Sequence, residues 1–276
     1  FEQYNATIKT KYTISDRKIL YFKINGNLED SNATYTGLTE YSFNTRPNFN
    51  PKTFDNFNVK RAAIDLIYTA RIGDDIIENT SVYFNVFDRR WWREDDIFTR
   101  ASTWEKGDLT AVPYYQTGQI VRVGGGQSSF GILRTFYVGG IARDYQLPHT
   151  FMGNTANAEI GIRGHWERFI DDKKVGSSPD SRNGFYYTGI IDDPNNPVTI
   201  VGQSQHYETS AFSVYAQDKI KLGKLSIDSG IRLETFRQSR IDRLRGSILA
   251  DKVSLVLLPG FGLNYSIGNS NIFGSI

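Results

Sequence analysis

The chain has 276 residues, no cysteine, 32 basic and 30 acidic residues and a formal charge of +2. That even, interspersed balance gives no footing for nucleic-acid binding, and the missing thiols exclude a disulfide framework. Aromatic residues reach 14% but hydrophobic residues only 39%, and no run approaches the roughly 20 apolar residues of a spanning helix, so any membrane crossing must be made by a closed sheet.

Period-two alternation begins at once. Tyr4, Ala6, Ile8, Tyr12 and Ile14 share one face, and Asn5, Thr7, Lys9, Lys11 and Thr13 the other. A turn at residues 15–18 leads to a second strand with Leu20, Phe22, Ile24 and Leu28 opposed to Tyr21, Lys23, Asn25 and Asn27. The third runs from about Val59 to Ile72 and turns at residues 73–75; the fourth carries Val82, Phe84 and Val86 and passes into a long polar stretch from Asp88 to about Ser129. A fifth strand, about Leu133 to Ala142, places Phe136 and Val138 outward and ends in a longer turn through Asp144 to Gly153.

The sixth opposes Ala156, Ala158, Ile160, Ile162 and Trp166 to Asn157, Glu159, Arg163, His165 and Glu167, before a polar loop at about 169–206. Phe212, Val214 and Ala216 mark the seventh strand, and Leu225, Ile227, Ile231 and Leu233 the eighth. After a loop at about 237–252, Phe261, Leu263 and Tyr265 mark a ninth, and the turn at 268–270 launches a tenth. Tight and long connections therefore take turns. Short turns on one side and long loops on the other, with strands of about 10 to 13 residues, describe an all-β antiparallel transmembrane barrel whose strands show apolar side chains to lipid and polar ones to a wet lumen. A row such as Ile160, Ile162, Ile231 and Leu233 must then lie exposed; its burial in a protein core would dismiss this reading.

Segments 211–218, 225–234 and 258–265 resemble, in the same order, the mid-barrel strands of the TonB-dependent receptors of the bacterial outer membrane. Tyr35 to Thr39, Arg46-Pro47, Asp55 to Phe57 and Phe87 to Glu94 are similar to the ferric-dicitrate branch of that family. The resemblance implies an outer-membrane receptor, not an enzyme, that binds and imports a ferric chelate with TonB-coupled gating. It implies as partners the chelate, outer-membrane lipid and lipopolysaccharide, a plug domain and TonB, with no cofactor, no resident metal and no nucleic acid. The family barrel has about 22 strands, so about ten strands make a partial barrel. Residues 1–276 are thus expected to be part of the barrel domain, with the plug and the carboxy-terminal strands lying outside this sequence. The rival readings are a receptor of the same build with another cargo (another siderophore, cobalamin or a glycan), a carbohydrate-binding β-sandwich or adhesin module, and a barrel hydrolase.

Candidate ligand residues follow from chemistry. Arg89, Arg90 and Arg93 offer fork-shaped donors for carboxylates, with Trp91 and Trp92 as walls; the bland alternative places the tryptophans in an interfacial girdle and the arginines on lipopolysaccharide phosphates or loop carboxylates. Arg163, His165 and Arg232 are the further candidates, with Glu167 and Glu234 as expected wall partners of the arginines. His149, His165 and His206 are too far apart for a zinc motif. Gly124 to Gly126 reads as a flexible hinge, and the acidic pairs 95–96, 171–172 and 192–193 as solvated loop charge.

Overall fold

The computed structural model describes residues 1–34, 36–113, 115–116, 118–182 and 203–276. The chain is a ten-stranded meander in which every strand pairs antiparallel with its sequence neighbours. The strands are β1 (Glu2–Ser15), β2 (Lys18–Ser31), β3 (Asn56–Ile72), β4 (Ile76–Arg100), β5 (Ile120–Phe151), β6 (Asn154–Gly176), β7 (Gln203–Leu222), β8 (Leu225–Asp242), β9 (Ser247–Ile267) and β10 (Ser270–Ser275). Two short helices interrupt them, α1 (Glu40–Thr45) and α2 (Ala101–Trp104). Among the described residues there is no second sheet to cover either face, so the sandwich reading falls.

Cross-strand register sorts every side chain. Ile8, Ile24, Ile64 and Phe84 stand in one row, and Ile162, Val214, Leu233 and Leu257 in another. These residues face outward, with Ile160 45%, Ile162 49%, Ile231 50% and Leu233 40% exposed. A contiguous exposed apolar surface of this kind calls for a covering phase or partner, and in a transmembrane barrel the outward strand face meets lipid. Charged pairs bound the band on both sides. Glu78–Arg143 (2.8 Å) and His149–Asp218 (3.4 Å) lie toward the tight turns, Asp88–Arg90 (2.7 Å) and Arg168–Glu208 (2.7 Å) toward the long loops.

Outside the band the strands outrun their sequence signal. β4 continues to Arg100 and β5 begins at Ile120, so the stretch 88–129 is strand for most of its length rather than loop. β5 also reaches Phe151, β6 reaches Gly176, and the 237–252 loop shrinks to a turn at 243–246. Beyond the membrane both faces of a strand are wet, so alternation fades while the backbone ladder persists. Phe136 and Val138 face inward, not outward: Phe136 is registered with Phe87 and Phe169. Gly124 to Gly126 belongs to β5, where Gly124 pairs with Asp96 beside a bulge. Asp95, Asp96, Asp171 and Asp172 likewise lie in strands; residues 192–193 fall outside the described residues.

The small apolar core sits at the loop end. Ala101, Val121 and Val123 are buried against Tyr41, Phe49, Ile97 and Trp104, so the β2–β3 and β4–β5 connections fold onto each other. Thr39 caps α1 by accepting from the Ser42 amide, and its hydroxyl donates to the Ile120 carbonyl, tying the helix to β5.

Candidate functional site at the inward face of the loop end

Strand parity divides the candidates. Arg89, Trp91 and Arg93 alternate with Arg90 and Trp92 along β4, and register puts the odd-numbered set on the inward face with Phe87 and Tyr83. Arg90 and Trp92 share the outward face with Val82 and Phe84. Arg90 donates two hydrogen bonds to Asp88 (2.7 and 2.9 Å). Trp92, 4% exposed, covers Gly131 so closely that a Cβ there would stand 2.8 Å from its ring. Both therefore stand on the opposite face of β4 from Arg89, Trp91 and Arg93. Five consecutive residues of a strand divide between its two faces.

On the inward face, register rows run from β4 across to β7. One row joins Phe87, Phe136, Phe169 and Tyr207. The Phe136 and Phe169 rings stack at 4.5 Å between centroids, Phe169 and Tyr207 at 5.3 Å, and Phe87 and Phe136 are tilted at 5.8 Å. Rings stacked across strands spend faces on one another. Guanidinium groups cover other ring faces: Arg93 over Trp91 (5.5 Å) and Phe130 (5.6 Å), Arg134 over Phe169 (5.8 Å), Arg240 over Tyr207 (5.4 Å). Stacking of this kind fixes a guanidinium plane.

The next row, one residue pair toward the loops, holds Arg89, Arg134 and Asp171. Arg134 Nε donates to Asp171 Oδ1 at 2.8 Å, and Gln203 donates to Oδ2 at 3.0 Å. Sequence reasoning missed Arg134, Phe169 and Tyr207. A finder would have been parity: Arg134 keeps step with inward Phe136, once that residue is placed correctly.

Arg163 and His165 meet deeper in the wall. Arg163 Nη2 donates to Tyr83 Oη at 2.8 Å, and His165 Nδ1 lies 2.7 Å from the same oxygen. Glu167 is 3.7 Å from His165 rather than on Arg163. Arg232 donates twice to Glu234 (2.8 and 2.6 Å), an ion pair within one strand face. Arg163 and Arg232 also line one inward concavity of about 930 Å³ with Glu159 and Tyr215. The eight candidates thus fall into an inward group at the mouth, an inward group deeper down, and the two outward residues.

A buried ionic latch fixes the rim, beyond the end of the membrane band. Lys52, 2% exposed, donates to the Glu94 carbonyl (2.8 Å) and to Asp96 Oδ1 (3.0 Å). The Glu94 amide donates to Asp55 (2.7 Å), and the Phe54 amide to Glu94 Oε1 (2.6 Å). Burial pushes the carboxyls of Asp55 and Glu94 above the usual range, against the hydrogen bonds that these amides donate. Burial acts on Asp96 in the same sense, but hydrogen bonds from Arg122 and Lys52 hold it below that range.

An open-faced meander with an outward lipid band and an arginine-rich inward mouth narrows the architecture to one class, and the sequence profile of the family described as TonB dependent receptor-like, beta-barrel, matches residues 15–276. This chain belongs to that family. Members are transport receptors of the outer membrane rather than enzymes. Among solved structures, the ferric citrate transporter FecA, unliganded, superposes with a TM-score of 0.74 at 15% identity, covering 99% of this TonB-dependent receptor chain and 35% of its own. The ferric-catecholate import receptor Fiu from Escherichia coli K12 gives 0.69 at 10% identity, with 99% and 42% covered. The alcaligin receptor FauA from Bordetella pertussis gives 0.60 at 11%, with 99% and 34% covered. At these identities the likeness is one of fold, and this receptor chain spans well under half of each of those proteins. No curated protein matches it in sequence.

Proposed function

We propose that this chain is the wall section of an outer-membrane receptor that binds a ferric chelate of the citrate type at its loop end and passes it inward when TonB acts on a plug. Plug and TonB would engage through parts of the receptor outside these residues. The supporting observation is the inward-facing concentration of guanidinium groups at the mouth, Arg89, Arg93 and Arg134, set past the lipid band marked by Asp88 and Arg90 on the outer face. Citrate complexes present carboxylates and carry net negative charge, which fork-shaped donors read in their own plane. The outward band and its charged collar are the surface for lipid and lipopolysaccharide.

Uptake of radiolabelled ferric citrate into cells that rely on the full-length receptor tests this. Transport that needs both the receptor and TonB is the expected result. Titration of the purified receptor with ferric citrate should also quench tryptophan emission, since Trp91 lies under Arg93. Transport of a different siderophore, cobalamin or a glycan, with no response to ferric citrate, would keep the receptor and replace its cargo.

A further inference from the structure

Arg89 and Arg134 are direct cross-strand partners on the inward face. Two like charges placed opposite each other in a sheet destabilise it unless something neutralises them. The wall supplies little. Asp171 is the one acid in their immediate row, with one oxygen taken by Arg134 and the other by Gln203. Among the described residues no carboxylate lies within ion-pair distance of Arg89, and its buried Nε has no hydrogen-bond partner. Lys173, two residues along β6 from Asp171 on the same face, adds a third cation and donates to Gln203 (2.9 Å). Glu29 and Asp242 terminate the same row, but Glu29 stands two strands from Arg89 and Asp242 is held by Arg245 (2.7 Å).

The surface beside this pair is equally specific. In the ring row Phe87, Phe136, Phe169 and Tyr207, neighbouring rings occupy one another's faces at Phe136, Phe169 and Tyr207, and Phe87 is tilted against Phe136. Ring faces taken in this way offer an aryl group no platform to stack on, whereas the Arg134 fork held over Phe169 matches the planar carboxylates that a polycarboxylate presents in number.

From this we infer that Arg89 and Arg134 form an anion clamp in the lumen wall that selects an oxygen-rich polycarboxylate over an aryl chelate, with the ring row as its rigid floor. The inference rests on the ferric-chelate reading above and deepens it. Missing negative charge between the two guanidiniums is supplied by the ligand, so part of the binding free energy is relief of a repulsion already built into the empty wall.

The test uses the full-length receptor in detergent and isothermal titration with ferric citrate, iron-free citrate and the ferric complex of 2,3-dihydroxybenzoate. Arg89→Gln and Arg134→Gln are each expected to weaken ferric citrate by about 10- to 100-fold. Because Arg89→Gln removes a like charge, its ligand-free thermal midpoint is expected to equal or exceed that of the unaltered receptor, which separates a lost ligand contact from a damaged fold. Iron-free citrate should follow the same order, and the aryl complex should bind the unaltered receptor more weakly than ferric citrate. Ferric citrate bound equally well by both variants, or the aryl complex bound more tightly, overturns the clamp while the receptor reading stands. Failure of both ferric complexes to bind the unaltered receptor overturns the ferric-chelate reading and the clamp with it.

Discussion

Gly161 lacks a side chain because the Tyr215 ring occupies the place where one would stand; a Cβ added there falls inside contact distance of the ring. Tyr83 covers Gly140 in the same way, and both pairs join adjacent strands on the inward face. A tyrosine laid flat over a strand glycine shields its backbone and pins the register, as aromatic rescue does in sheets. Gly161→Ala is therefore expected to cost about 1–3 kcal/mol by overpacking, and Tyr215→Leu in the same chain to recover part of it. Urea unfolding of the membrane-reconstituted receptor, followed by tryptophan fluorescence, reads both; additive losses would remove the pairing argument.

Residue chemistry also sets a pH response at the rim. Asp55 and Glu94 have carboxyls raised by burial, so they favour the folded latch more strongly once protonated, and that contribution is lost as pH rises through their folded values. Asp96 is held low by Arg122 and Lys52, so its contribution is lost as pH falls through its own lower value. The two signs together place the tightest latch near the ordinary carboxylate range, with loosening on either side. Hydrogen exchange at the Glu94 amide, whose acceptor is Asp55, is expected to show greatest protection there after correction for intrinsic rates. Asp55→Asn should flatten the alkaline limb. A protection that only rises with pH would contradict the sign assigned to Asp55.

At the scale of the element, what the sequence disclosed depended on solvent. Where a strand separates lipid from water, each side chain declares its face, and Ile160, Ile162, Val214 and Leu233 were legible without coordinates. Where both sides are wet, as along β4 past Val86 and β5 before Leu133, polar residues stand on both faces and the strand reads as loop. Hence Arg89 and Arg93 could be flagged by type, yet Arg90 and Trp92 could not be told apart from them, and Arg134 was passed over. Phe136 misled for a related reason, since an apolar ring suits a stacked inward row as well as a lipid face. The outward band itself is testable. Ile162→Arg puts a charge among lipid chains and is expected to cost about 2–4 kcal/mol near the midplane, with a smaller folded, heat-modifiable fraction on gel electrophoresis of bilayer-inserted receptor. An unchanged fraction would mean that this row does not meet lipid.

For the molecule as a whole, the sheet order among the described residues leaves β1 paired only with β2 and β10 only with β9. β1 is long and exposed along its full length, with Tyr4, Ile8 and Tyr12 each over 60% accessible. Unpaired edges of this kind recruit other strands, so residues 1–276 alone are expected to assemble. Detergent separates two causes: it covers the outward band but leaves the edge hydrogen-bonding groups, so assembly driven by edges persists in it. Two different edges pairing head to tail generate open-ended chains, whereas one edge pairing with its own copy closes as a dimer. Ile276 exchanges both backbone hydrogen bonds with Phe261, and the antiparallel alternation then turns the Phe273 amide toward the free edge. Phe273→Pro removes that donor and blocks growth at β10. In detergent the unaltered segment should form polydisperse oligomers by light scattering and the variant should stop at dimers joined through β1. A monodisperse monomer of the unaltered segment would show that its edges are inert and that it does not need the remaining strands of a barrel.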